Sequence, residues 1–180
     1  MAKNLKLFLN KLFGLASNSK PVIMPFTNIS SDTIIGNYTY IGYNCNITKS
    51  KIGSYCSIAN NVTIGAGEHL INEVSTSSLF YENAYETLTN SSCVVQNDVW
   101  IGVNSVIRRG VNIGNGAIIG ANSFVNKDVP AYAIVVGSPA KILKYRFEDD
   151  KIHFLTQSKW WEMKIEEARE FIKNLNENKI

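Results

Sequence analysis

A chain of 180 residues with 45% apolar and 18% charged residues is long enough to bury one core and ordinary in composition for a globular domain. Its net charge of +3 is too small to point to nucleic acid, and no apolar run is long enough to span a bilayer. Three cysteines cannot all pair within the chain, which fits a reducing compartment and makes the cytoplasm the expected location.

Residues 1–20 read as an amphipathic helix with Leu5, Phe8, Leu9 and Leu12 on one face. Lys6 and Lys11 interrupt the apolar stretch, which argues against a secretory signal. The expected role is a cap on the domain. The sharper alternative is a weak membrane-surface contact through residues 1–16. The sequons at Asn28, Asn37, Asn46, Asn61 and Asn90 then read as polar turn residues.

Residues 21–145 carry a six-residue period. Ile29, Ile35, Ile41 and Ile47 form one series, and Ile52, Ile58 and Ile64 a second, one residue out of phase. Val95, Ile101, Ile107, Ile113, Ile119 and Val125 form a third. A helix repeats near 3.6 residues and a strand near 2, so neither sustains this spacing. A triangular coil does, with one short strand and one turn per hexapeptide and three hexapeptides per coil. Stacked coils then pair as parallel strands and stabilise one another as neighbouring repeats. Gly often follows the aliphatic residue, at Gly36, Gly42, Gly53, Gly65, Gly102, Gly114 and Gly120, where the expected reason is the tolerance of strained turn dihedrals. A small or β-branched residue, including Cys45 and Cys56, follows four positions after the aliphatic one, in a slot near the corner. Cys93 falls in the same slot, and the three thiols are expected to pack rather than react.

The period stops after Ile64 and resumes near Val95, so a loop over about 66–93 should protrude. A loop this long in a compact domain is usually functional. It holds His69, one of two histidines, and an imidazole can take a proton from a hydroxyl or amine near neutral pH. Glu68, Glu73 and Glu86 are the carboxylates available to orient it. Residues 146–180 read as a helical tail, with His153 on it as a packing or surface residue. Two histidines cannot supply the three imidazoles of a zinc hydratase, and no metal site is expected.

IGSYCSIANNVTIGAGEH, then VSTSSLFY, then NDVWIGVNSVIRRGVNIGNGAIIGANSFVNKDVPAYAIVVGSPAKILKYRF, and finally SKWWEMKIEEAREF with Trp160 and Trp161, resemble the hexapeptide-repeat acetyltransferases. The branch they resemble contains xenobiotic and polysaccharide O-acetyltransferases. The resemblance implies an all-β, left-handed parallel β-helix with a protruding loop and a C-terminal α-helix. It also implies acetyl-CoA as acetyl donor and a homotrimer with active sites between subunits.

Carried residue by residue, the resemblance makes His69 the general base. Trp100 would wall the acceptor or pantetheine tunnel, and Gly102 and Ala121 would offer backbone groups to the pantetheine amides. Asn126 and Lys127 would meet the distal part of the cofactor, and Lys141 and Lys144 its phosphates. Asn126 stands where Thr is usual and Ser138 where Asn or Val is common. Neither is expected to prevent cofactor binding. Tyr38, Tyr40 and Tyr43 are candidates for contacts to an acceptor from the neighbouring chain. The expected reaction is acetyl transfer to a saccharide hydroxyl. The alternatives are N-acetylation of an amino-sugar nucleotide and acetylation of an antibiotic of the chloramphenicol or streptogramin type.

Overall fold

The computed structural model describes residues 19–177, so the expected helix over 1–20 lies almost wholly outside the described residues. The rest is an all-β parallel solenoid followed by helices. Fourteen short strands, β1 (Val22–Ile23) to β14 (Phe124–Val125), wind onto three sheets in turn. Sheet A takes β1, β4, β7, β10 and β13; sheet B takes β2, β5, β8, β11 and β14; sheet C takes β3, β6, β9 and β12. Registers such as Val22↔Tyr40 and Trp100↔Ile118 step by one coil of eighteen residues. Asn46↔Thr63 and Ile34↔Lys51 are one residue shorter, which is the phase slip seen between Ile47 and Ile52.

The aliphatic series fills the prism. Ile41, Ile47, Ile52, Ile58, Ile64, Val95, Ile101, Ile107, Ile113, Ile119 and Val125 are all buried, and Ile29 and Ile35 pack against them at the open first coil. Full burial of each such side chain is worth about 1.5–3 kcal/mol before chain entropy is counted. The corner slot is buried as expected, at Thr39, Cys45, Cys56, Val62, Cys93, Ser105, Val111, Ala117 and Ser123. Cys56 Sγ lies 3.0 Å from the Gln96 carbonyl and Cys93 Sγ 3.0 Å from that of Arg108, so the thiols are weak donors inside the wall.

The glycines after the aliphatic positions have a different cause from the one expected. Of the seven, only Gly65 has a positive φ. A Cβ on Gly36 would lie 2.5 Å from the Gly53 carbonyl carbon, and one on Gly114 would lie 2.5 Å from the Ala131 nitrogen. Gly36, Gly42, Gly53, Gly102 and Gly114 are glycine because the next coil's backbone passes too close for any side chain. The left-handed conformation instead falls three residues before most of the inward aliphatics, largely on Asn and Tyr: Tyr38, Asn44, Tyr55, Asn61, Asn104, Asn122 and Tyr132 have φ of 58° to 60°. Asn tolerates this region better than most residues. Its amide also bonds the next coil, through Asn44 to Asn61 (2.9 Å), Asn61 to Asn104 (3.0 Å) and Asn104 to Asn122 (3.2 Å).

Past β14, β15 (Ala133–Gly137) joins sheet A in parallel and β16 (Ala140–Tyr145) turns back along it, antiparallel. The tail then forms α2 (Asp149–Ser158), a 3-10 turn at Trp160–Glu162 and α3 (Ile165–Glu177). A preceding helix, α1 (Ala84–Leu88), lies in the loop. Trp160 and Trp161 are buried; Tyr38 stacks on Tyr55 with ring centroids 4.8 Å apart, and Tyr55 meets Trp160 at a tilt, 5.1 Å away. Arg146 pairs with Asp98 at 3.2 Å, tying the tail to the corner between sheets C and A. No helix among the described residues is long and apolar enough to cross a membrane.

Candidate active site

The chain leaves the prism after β8 (Thr63–Ile64) on sheet B and re-enters it at β9 (Cys93–Val95) on sheet C. The excursion therefore hangs from one corner, B/C. Three contacts spread it along successive coils of that corner. The Tyr85 hydroxyl bonds both Asp32 oxygens at 2.9 Å, Lys49 pairs with Glu86, and Arg108 grips both Glu68 oxygens at 2.7 Å. The Arg108 guanidinium, chiefly by these bonds, holds the Glu68 carboxyl below its ordinary range; the Ser30 hydroxyl, helped by that of Tyr85, does the same for Asp32.

At the root of the loop, Gly65 turns with φ of 65°, and the Glu68 N–H bonds the Leu88 carbonyl at 2.9 Å. His69 follows at once and is exposed. Its Nδ1 lies 2.5 Å from the Thr76 carbonyl oxygen. A carbonyl only accepts, so Nδ1 carries the hydrogen and Nε2 keeps its lone pair for another donor. The Tyr81 hydroxyl also donates to Thr76 O (3.0 Å) and accepts from the Leu70 N–H (3.0 Å). The orienting partner of His69 is thus a backbone carbonyl. Glu68 and Glu86 are committed to Arg108 and Lys49, and Glu73 lines a neighbouring cavity.

That cavity, about 640 Å³, lies within the loop between Leu70, Val74, Phe80 and Tyr81, with Glu73 and Glu82 on its wall. Ser75, Asn83 and Thr87 add neutral polar groups to its walls, and no cation lines it. Ile71, Val74, Leu79 and Phe80 are largely exposed on the same excursion.

The remaining expected site residues separate into two strips. Trp100, 55% exposed, points outward from sheet A. Gly102 and Ala121 stack on the adjoining A/B corner, where a Gly102 Cβ would lie 2.5 Å from the Ala121 nitrogen. Lys141 and Lys144 are exposed on β16, opposite Val136 and Ile134, at the end of the same sheet. Asn126 and Lys127 lie instead on the B/C corner, one coil beyond Arg108, whose N–H bonds the Val125 carbonyl. Sheet B separates the Trp100 strip from His69, so one chain does not bring them together. Tyr38 is taken up in its stack with Tyr55, Tyr40 faces outward from sheet A, and Tyr43 sits on the A/B corner, so these three rings do not form one surface either. His153 is exposed on α2.

Tyr81, Thr76 and the doublet Arg108–Arg109 also take part, and the sequence assigns none of them a role. The doublet was the one visible signal, two cations inside an otherwise apolar hexapeptide. Among the described residues, no group of His, Cys, Asp and Glu is arranged to hold a metal ion.

The family described as bacterial transferase hexapeptide (six repeats) matches residues 92–127. A "probable macrolide acetyltransferase" of Lysinibacillus sphaericus is 39% identical over 147 residues, covering 76% of this chain and 79% of the relative. A chloramphenicol acetyltransferase of Klebsiella aerogenes is 38% identical over 134 residues, 68% of this chain, which spans 64% of that relative's length. Among solved structures, a hexapeptide-repeat acetyltransferase of Vibrio cholerae O1 biovar eltor, in complex with acetyl coenzyme A, superposes with a TM-score of 0.61. Identity is 30%, over 72% of this chain and 69% of the other.

Proposed function

Because this chain belongs to the hexapeptide-repeat acetyltransferase family, we propose that it transfers acetyl from acetyl-CoA directly to an acceptor hydroxyl, with His69 as general base. The observation that carries this reading is the imidazole at the root of the loop, with Nδ1–H committed to the Thr76 carbonyl and Nε2 left to accept. Nε2 takes the acceptor proton as the oxygen attacks the thioester carbonyl. The tetrahedral intermediate collapses by breaking the C–S bond, and the imidazolium returns its proton to the departing thiolate. The Thr76 carbonyl steadies the imidazolium while it exists.

The donor's long, mostly neutral arm and anionic end suit the Trp100 strip. Exposed Trp100, Val103 and Leu143 give it an apolar path, Gly102 and Ala121 keep the corner free of bulk, and Lys141 and Lys144 stand at one end for phosphates. Asn126 and Lys127 would meet the distal part of a donor reaching the B/C corner. Since sheet B keeps this strip away from His69 within one chain, the reaction calls for a second copy. A homotrimer, in which His69 of one subunit faces the strip of the next, meets that need with three equivalent sites. This is the reading we adopt, in the cytoplasm as expected from the cysteines.

The acceptor we propose is a neutral saccharide hydroxyl. Walls that mix apolar and neutral polar groups with Glu73 and Glu82, and carry no cation, suit a neutral or cationic acceptor, which weighs against an anionic sugar nucleotide. The same wall chemistry, and the 39% identity to the macrolide acetyltransferase, support an antibiotic hydroxyl as the second reading. The test is calorimetric titration of acetyl-CoA at two salt concentrations, followed by a screen of neutral sugars and antibiotics for thiol release. Lys141→Ala with Lys144→Ala should weaken binding several-fold and flatten its salt dependence. No binding at millimolar ligand would sink the proposal.

A further inference from the structure

Arg109 is buried, at 8% exposure, yet no carboxylate bonds it among the hydrogen bonds of the described residues. Its guanidinium instead donates to three backbone carbonyls that belong to three different stretches of chain. Nε reaches Ala66 O at 3.1 Å, where the loop departs; Nη1 reaches Ser91 O at 2.6 Å, where it returns; and Nη2 reaches Thr48 O at 3.1 Å, in the coil beneath. Gly65 leaves the space: a Cβ there would lie 3.1 Å from Nη2 and 2.7 Å from Thr48 O. His69 lies three residues past Ala66.

We infer that Arg109 is a positioning residue for His69, a clasp that locks both ends of the loop to the prism and so fixes the imidazole against the reacting groups. The inference rests on the reading of His69 as the base. Its geometry is the reason. The guanidinium is a planar fork that holds several acceptors at once in fixed directions, which a single ammonium cannot do. The bonds are charge-assisted and made by a buried guanidinium, although Ala66 and Ser91 themselves lie at the surface. The neighbouring Arg108–Glu68 pair is half exposed and contributes far less. With Glu68 N–H on Leu88 O, the departing and returning strands of the loop become one rigid unit from which His69 projects. A clasp at the root matters because misplacing a catalytic group by about 1 Å can cost on the order of 10²-fold in rate.

The experiment compares wild type, Arg109→Met, Arg109→Lys and Glu68→Gln in three readouts: hydrogen exchange over 66–70 and 88–92, acetyl-CoA affinity, and the split between kcat and KM. Arg109→Met should exchange faster in both segments, bind acetyl-CoA within about twofold of wild type, and lose about 10–100-fold in kcat. Arg109→Lys, which keeps the charge and one or two of the bonds, should recover part of the loss and serves if the Met variant folds poorly. Glu68→Gln should lose less than either. Unchanged kcat in folded Arg109→Met, unchanged exchange, or a loss confined to acetyl-CoA affinity would each overturn the inference alone. A wild type that turns over no acceptor, with the exchange difference present, would overturn the reading of His69 and the clasp's catalytic role with it.

Discussion

His69 and Tyr81 share one acceptor: the imidazole Nδ1–H and the phenol O–H both donate to the Thr76 carbonyl oxygen. The loop thereby closes a small ring of bonds on itself, and the imidazole is aimed by backbone rather than by a carboxylate.

His69→Ala should therefore lower turnover by about 10²–10⁴-fold while leaving acetyl-CoA affinity and the melting temperature near wild type. An exposed loop side chain contributes little to the core, so stability should hold. Tyr81→Phe, which frees Leu70 N–H and half of the Thr76 carbonyl, should cost about tenfold in kcat. Steady-state assays beside thermal melts decide it; wild-type turnover in a folded His69→Ala protein removes the base from the mechanism.

Two glycine roles predict two different penalties. Gly114→Ala drives a Cβ to 2.5 Å from the Ala131 backbone nitrogen and should destabilise by about 1–3 kcal/mol or more, since backbone has to shift. Gly110, at φ of 79°, occupies the turn position that Asn fills in other coils. Gly110→Asn should stay within about 1 kcal/mol. Urea midpoints at one fixed protein concentration test the contrast, and equal losses would contradict it.

Burial pushes the Asp98 carboxyl above its ordinary 3.8, and the Arg146 guanidinium only partly offsets this. A raised folded value means that the group's contribution to stability is complete below 3.8 and is lost as pH rises through the folded value. Glu68 has the opposite sign: held below 4.5 by Arg108, it supports the fold above 4.5 and its support fades as pH falls. Melts between about pH 3 and 7 should show that Asp98→Asn removes a downward component on the rising side, and Glu68→Gln an acid-side loss. The reverse pattern would refute both assignments.

Burial raises the thiols of Cys45 and Cys93 and pushes that of Cys56 up to about 12. Thiolate is the reactive form, so none of the three should react with an aromatic disulfide reagent in the native protein near neutral pH. All three should react once guanidinium unfolds the chain. A fast native thiol would mean that a coil corner opens.

The six-residue period was legible because every inward slot carries the same kind of residue from Ile29 to Val125, and side chains alone define it. The corner slot of Cys45, Cys56 and Cys93 followed from the same arithmetic. The glycines are ambiguous in the sequence because two requirements, a tight turn and a near backbone, select the same residue. Only φ tells them apart, and it assigns the turn to residues such as Asn61 and Tyr55. The partner of His69 was hidden for a related reason. Thr76 acts through its carbonyl, which every residue possesses, so no side-chain pattern marks it. Arg109 was visible as a cation but not as a clasp, since its acceptors come from Thr48, Ala66 and Ser91, distant in sequence and again backbone.

β9 takes the place on sheet C that a strand following β8 directly would take, with Lys51↔Val94 continuing the ladder as if nothing intervened. The excursion is accordingly an insert between consecutive sides of one turn of the prism. Evolution can lengthen, shorten or replace it without re-registering a single rung, provided its two ends still meet at the same corner. In a lineage of such chains, the excursion can change quickly while the coils keep their register and core.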